Sequence, residues 1–388
     1  MLVVRAHHPE PMLGKLMDNY KHRCLLPFHH IAIRPDNQVF PCCQFRWEHT
    51  PRDLNLSYPD VFNHPFLNFV RDTIKFNQKV NGCKQCYHNE KLTGKSMRTE
   101  CLENVEKMFG KPFEIPKQPH LNYIDIAFSN VCNNRCRMCN PELSTNWYAD
   151  AKALGIPINK GIIENIDPFK NIDVANLTYI KFIGGEPMLE QEKFINLLKR
   201  CNLPSLSLFI ATNVTTRPNA ELMKLFRQCK QIKVACSIDA YGRLNDFLRK
   251  GSVWEEIDCN LRWYSDNFEI VLVHSVISIY NINKIHKLYE HVKENYPNVT
   301  FQFVMVDGTD WMNPCNLPTE AKDTIMKQIY QIQHQEIIDL FPMIYETLTS
   351  LGNFAKFKEM DHKLNLLRNE HWKEYNPELY ELIKEYYE

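Results

Sequence analysis

Six short apolar runs recur along the middle of the chain, at 123–128 (YIDIAF), 177–183 (LTYIKFI), 205–211, 231–238, 268–278 and 300–306. Segments of helical period separate them, at 188–201, 217–229, 252–264 and 282–295, with one more helix after a cysteine-bearing loop. This alternation constrains the fold more than any other feature. A parallel strand needs a crossover to reach its neighbour, usually a helix, and strands covered by helices are largely apolar. Residues 119–317 are therefore expected to form six βα units, an incomplete TIM-like (β/α)6 barrel within an α/β protein. In such sheets ligands bind beyond the carboxyl ends of the strands, so the loops after the strands are where chemistry belongs.

The flanking zones differ in character. Residues 1–118 are dense in Cys, His and Pro, with short strand-like runs such as HHIAIRP and QVFPCC, and KPFEIPKQPH lacks helical period and reads as an extended linker. Residues 318–388 read as a helical region without cysteine, whose aromatic residues at helical spacing suit packing. Lysine plus arginine (46) balances aspartate plus glutamate (46). That balance disfavours a nucleic-acid partner, because phosphate contact requires basic excess. No run approaches the length of a membrane span, and the start, MLVVRAHHPEPMLGK, has no signal-peptide core. The chain reads as cytoplasmic.

Fourteen cysteines stand out against that reading, since a reducing compartment disfavours disulfides and tight spacings there point to metal. Cys132, Cys136 and Cys139 form a C-x3-C-x2-C pattern in SNVCNNRCRMCNPE, just after the first barrel strand. Three thiolates hold three irons of a [4Fe–4S] cube and leave the fourth open, as a catalytic metal keeps a position for substrate. A structural cluster or zinc is normally closed by a fourth cysteine. The other readings are a zinc knuckle completed by a distant cysteine, or thiols packed as small hydrophobes. The second strand ends in KFIGGEPML, which puts Gly184, Gly185 and Glu186 at the same sheet edge. Paired glycines let a ligand approach the backbone, and Glu186 can accept from an ammonium. The plainer reading is a turn with Pro187 opening a helix.

A cysteine loop after strand one followed by GGE after strand two resembles the radical SAM superfamily, across the whole barrel. The resemblance implies an open iron that binds the amino and carboxylate groups of S-adenosylmethionine (SAM). It further implies reductive cleavage of SAM to a 5′-deoxyadenosyl radical that abstracts hydrogen from a substrate. Ser237 and Asp239 in CSIDA match the superfamily's S-x-D strand end, which faces the SAM ribose. Arg249 in FLRKG matches an arginine that pairs with the SAM carboxylate, a role suited to a guanidinium fork. Asn213 in ATNVT matches T-N-G, with Val214 in place of the glycine, and Met138 stands where an aromatic is common. Plain strand-end or surface roles are the alternative for Ser237, Asp239 and Arg249.

Cys24, Cys42, Cys43, Cys83 and Cys86 form a second set. Cys24 is followed by twelve residues, Asn37, four residues and Cys42, and Cys83 and Cys86 make a C-x2-C pair. Asn37 suits a left-handed turn between two short strands. This spacing resembles the SPASM and twitch modules, here ahead of the barrel instead of after it. The resemblance implies an auxiliary [4Fe–4S] cluster on Cys24, Cys42, Cys83 and Cys86, with a four-cysteine zinc site as the alternative. Successive residues of an extended chain point to opposite faces, which favours Cys42 alone over the Cys42–Cys43 pair. An auxiliary cluster implies a net oxidative modification, of a peptide by analogy, with a low-potential electron donor as partner. Oxidation of a small molecule such as a sugar or aminocyclitol, and a non-catalytic iron–sulfur or zinc scaffold or electron carrier, are the competing readings. His29, His30 and His88, and the remaining cysteines, read as structural.

Overall fold

The computed structural model describes residues 22–94, 96–103, 115–158, 169, 172–307 and 309–388. The chain divides into two compact units, Met1–Ala32 with Gln38–Asn122 and Ile33–Asn37 with Tyr123–Glu388. Pro112 of the expected linker lies outside the described residues, while Pro116 and Pro119 lie on backbone without helix or strand.

The first unit carries the short strands β1 (His30–Ile33) and β2 (Val39–Phe40), a single helical turn at Leu26–His29, and the helices α1 (Pro65–Lys75), α2 (Lys84–Thr93) and α3 (Met97–Glu103). Asn37, between the strands, has φ +63°, the left-handed conformation that asparagine tolerates best after glycine. Arg71 is buried on α1, its guanidinium donating to Pro27 O (2.7 Å) and Phe62 O (2.7 Å). Such backbone acceptors are what a buried charge requires.

The second unit is the expected arc. Strands β3 (Tyr123–Ala127), β4 (Tyr179–Ile183), β5 (Ser207–Thr212), β6 (Gln231–Ser237), β7 (Ile270–Ile277) and β8 (Thr300–Met305) pair in sequence order, all parallel. Between them run α4 (Tyr148–Leu154), α5 (Gln191–Leu198), α6 (Ala220–Phe226), α7 (Arg243–Leu248), α8 (Trp254–Asn267) and α9 (Ile285–Asn295). One face of the sheet is sealed by helices: Val234, Cys236 and Val273 pack on Trp254, Ile257, Leu261, Leu288 and Val292. Each fully buried aliphatic side chain there contributes about 1.5–3 kcal/mol. The other face is more open and more polar than apolar strands foretell. Register aligns Asp125, Lys181, Phe209 and Lys233 in one row across four strands, with both ammonium groups 5.2 and 5.8 Å from the Phe209 ring centre.

The helices α10 (Thr319–Ile329), α11 (Phe341–Thr349), α12 (Phe354–Arg368) and α13 (Pro377–Tyr387), with a single helical turn at Gln335–Ile338, belong to the same unit. They share a core with the ends of β7 and α9, built around Tyr280, Trp311, Phe357 and Trp372. Among the described residues no helix is long and apolar enough to cross a membrane.

Candidate functional site

The loop after β3 carries Cys132, Cys136 and Cys139 on backbone that is neither helix nor strand, and neighbouring segments fix it from two sides. On one side the turn after β4 donates Gly185 N–H to Ser129 O (3.1 Å) and Glu186 N–H to Val131 O (2.8 Å). On the other, Arg135 N–H donates to Lys250 O (2.8 Å) and Arg137 N–H to Leu248 O (2.7 Å). Both clamps need glycine. A Cβ on Gly185 would stand 2.2 Å from Val131 O, and one on Gly251, where φ is +111°, would stand 2.7 Å from Asn133 O. The close approach expected of Gly185 is thus made by the cysteine loop's own backbone. Gly251 was missed in the sequence, because its need arises from a segment more than a hundred residues away.

The loop gathers the three thiols. Cys136 interacts electrostatically with Cys132, and Cys139 with both. Burial pushes the Cys136 thiol up to about 11 and raises Cys132 and Cys139 as well, so bare thiolates are costly here. Donors nevertheless aim at the sulfurs: Asn134 N–H at Cys132 Sγ (3.4 Å), Asn213 Nδ2 at Cys132 Sγ (3.9 Å) and Arg249 Nη1 at Cys136 Sγ (4.0 Å). The Asn134 carboxamide, between Cys132 and Cys136, is 1% exposed and neither of its polar atoms has a hydrogen-bond partner. Among the described residues no three His, Cys, Asp or Glu side chains stand where they could hold a single metal ion. In a [4Fe–4S] cube the thiolates bind separate irons and need not converge on one point. Gathered thiols, sulfur-directed donors and an orphaned buried amide together fit a cluster with one open iron.

Glu186 is 2% exposed and its carboxylate is already committed to the protein. Oε1 accepts from Met188 N–H (2.9 Å) and Thr212 Oγ1 (2.8 Å), and Oε2 from Asn213 N–H (2.6 Å). It therefore caps the short helical turn at Pro187 and ties the end of β4 to the end of β5. Burial raises its pKa to about 7 despite those three donors. An ammonium partner, expected from the sequence, would have to share an acceptor already in use.

At the end of β6 the Arg249 guanidinium and the Asp239 carboxylate hold each other, Nε 2.7 Å from Oδ2 and Nη2 3.1 Å from Oδ1. Asp239 Oδ1 also accepts from Val276 N–H at 2.8 Å. Both residues expected to meet SAM are thus paired with each other, buried, at the strand ends beside Cys136. Ser237 is half-buried at the end of β6, level with His274 on β7. Gly184 has φ +127°, and a Cβ there would meet Ser129 O at 2.9 Å. Asn213 Nδ2 donates to Asn133 Oδ1 (2.7 Å), which connects β5 to the cysteine loop. Val214, in the glycine position of T-N-G, keeps the glycine conformation: φ is +66° although the side chain is fully buried among apolar residues of α8. A β-branched residue in that region is strained, and the apolar pocket holds it there.

In the first unit, Cys42 interacts with Cys43, Cys83, Cys24 and Cys86. Cys24 interacts with Cys101, Cys83 and Cys86. Cys24, Cys42 and Cys86 are buried, and burial raises all three thiols. The four cysteines singled out in the sequence thus act on one another electrostatically, although no three of them stand where they could hold a single metal ion. The structure also places Cys101, read as an ordinary thiol, beside Cys24.

Residues 126–292 match the model of the radical SAM superfamily. The match runs from the end of β3 into α9 and includes the cysteine loop and the GGE turn. No curated protein matches the chain. Among solved structures, native anSMEcpe with bound AdoMet and Kp18Cys peptide is 16% identical, over 56% of this chain and 62% of that one, with a TM-score of 0.40. Streptococcus suis SuiB bound to S-adenosylmethionine is 14% identical, over 54% and 42%, with a TM-score of 0.33. TYW1 with a lysine-pyruvate adduct bound is 15% identical, over 68% and 87%, with a TM-score of 0.29. The chain thus spans less than two thirds of the length of anSMEcpe and of SuiB.

Proposed function

We propose that the protein is a radical SAM enzyme whose cluster is held by Cys132, Cys136 and Cys139. The observation that carries the reading is the cysteine loop itself, three thiols with donors aimed at two of the sulfurs. Bound there, a [4Fe–4S] cluster with an open iron supplies the electron that cleaves SAM, giving a 5′-deoxyadenosyl radical able to take hydrogen from a substrate. The protein's own residues orient that chemistry. The Glu186 turn and the Lys250–Gly251 turn fix the loop, the neutral Asn213 amide donates toward Cys132 Sγ, and the Arg249 guanidinium donates toward Cys136 Sγ. Gly184, Gly185, Glu186, Asn213, Ser237, Asp239 and Arg249 line the strand ends where SAM would lie.

The second cysteine set supports an auxiliary [4Fe–4S] cluster on Cys24, Cys42, Cys83 and Cys86, with zinc as the alternative occupant. An auxiliary cluster favours net oxidation, because it accepts the electron left on a substrate radical. A peptide is the substrate class proposed, by analogy with enzymes that carry twitch and SPASM modules, with a low-potential electron donor as partner.

Anaerobically reconstituted protein, given SAM and a strong reductant, should release 5′-deoxyadenosine. The variant with Cys132, Cys136 and Cys139 all changed to alanine should release none; product at the wild-type rate in that variant would sink the reading. Adding peptide fractions from deuterium-labelled cells should move deuterium into 5′-deoxyadenosine, and a response confined to non-peptide fractions would overturn the substrate class.

A further inference from the structure

Arg137 sits inside the ligand motif, between Cys136 and Cys139, and is fully buried. Burying a guanidinium is costly unless it is paired and hydrogen-bonded, and every partner it finds beyond the barrel comes from the carboxy-terminal region. Nη2 donates to Asn365 Oδ1 (2.7 Å) and lies 3.0 Å from Glu370 Oε2, while Nη1 lies 3.4 Å from Asp361 Oδ1. The Phe247 ring stacks on the guanidinium, 3.8 Å from ring centre to carbon. Glu370 also reaches Lys250 Nζ at 2.5 Å, so one carboxylate grips both sides of the backbone ladder that clamps the cysteine loop. A second bridge runs in parallel: Asp150 holds Arg135 of the loop (2.9 Å) and Arg368 of α12 (2.8 Å). Cys136 is thus flanked by two arginines, each tied to the carboxy-terminal helices, one directly and one through Asp150.

We propose that Arg137 is a positioning residue through which the carboxy-terminal helices hold the cysteine loop in its cluster-binding shape. The inference rests on the radical SAM reading above. It gives residues 318–388 a role at the site, which their helical, cysteine-free sequence does not announce.

The test uses the full-length chain, reconstituted anaerobically as wild type, Glu370→Gln, Arg137→Met, Arg137→Lys and Asn376→Ala. Two readouts avoid activity: the electron paramagnetic resonance signal of the reduced protein that shifts on adding SAM, and its rate of decay in chelator. Glu370→Gln and Arg137→Met should lose the signal about tenfold faster or more, the scale on which partners beyond the direct ligands act, with Arg137→Lys in between. Asn376, just ahead of α13, donates to Tyr280 O (2.8 Å) and Asn283 Oδ1 (2.8 Å) between β7 and α9, and so ties the same helical region to the barrel without touching the loop. Asn376→Ala should lower Tm yet lose the signal at the wild-type rate. Wild-type decay in folded Glu370→Gln and Arg137→Met overturns the proposal, as does equally fast decay in Asn376→Ala, since lost stability would then explain everything. A wild type that never shows the SAM-sensitive signal defeats the radical SAM reading itself, and this inference with it.

Discussion

Arg249 grips Asp239 with two nitrogens, Nε 2.7 Å from Oδ2 and Nη2 3.1 Å from Oδ1, and turns the third toward Cys136 Sγ at 4.0 Å. One guanidinium thus joins the carboxylate at the end of β6 to the middle thiol of the loop. Removing one partner of a buried pair leaves the other charged and alone, at a cost of about 3–5 kcal/mol. Arg249→Met and Asp239→Leu should each lose about that much in urea unfolding, and the double variant clearly less than their sum. Strict additivity would show that the pair is not coupled.

The glycine clamps predict a steric phenotype with a built-in control. Gly185→Ala and Gly251→Ala put a methyl group against the cysteine loop's backbone, so each should cost about 1–3 kcal/mol and lower the iron bound on reconstitution. Gly242 also has positive φ (+69°), but a Cβ there meets nothing within 4 Å. Gly242→Ala should cost about 1 kcal/mol of backbone strain and leave the iron content alone. Equal iron loss in all three would refute the clamp.

Glu186 predicts a pH signature. Its folded-state pKa, about 7, lies above the ordinary value of 4.5 because burial disfavours the charged form. The folded state therefore holds this proton more tightly than the unfolded chain does. Its stabilising contribution is complete below the ordinary value and is lost as pH rises through about 7. Between roughly pH 5 and pH 8 the wild type should lose about 2–3 kcal/mol relative to Glu186→Gln, whatever constant offset the amide brings. A difference that stays level across that range contradicts the assignment.

Cys42 interacts electrostatically with Cys24, Cys83 and Cys86 as well as with its neighbour, and it is the ligand proposed from the adjacent pair. Fully loaded protein should carry about eight irons if both clusters form. Cys42→Ala should lose much of one cluster and Cys43→Ala should keep both. Metal analysis decides between them, and zinc in place of the extra iron would install the structural-site alternative.

The strand positions were legible because periodicity and apolar content are local properties: each of the six runs became a strand, within two residues at either end. The C-x3-C-x2-C and GGE motifs were legible because ligand spacing along a loop is also local. Their surroundings were not. Gly185 looked free for a ligand to approach, yet the approaching group is Val131 O. Arg249 and Asp239 looked like two contacts for SAM, yet they form one ion pair.

Chain order alone determined that a parallel arc would form and that the cysteine loop and the GGE turn would meet at its carboxyl edge, since successive βα units deliver successive loops to the same side. Only the tertiary structure decided what holds that edge together. Arg137 meets Asp361 and Glu370 across more than two hundred residues, Val214 takes a glycine conformation because an apolar pocket holds its side chain, and Gly251 abuts Asn133. Contacts between residues so far apart leave no periodic trace. They follow from which side chains remain buried and charged once the elements have packed, a balance of desolvation against pairing that a linear pattern does not record.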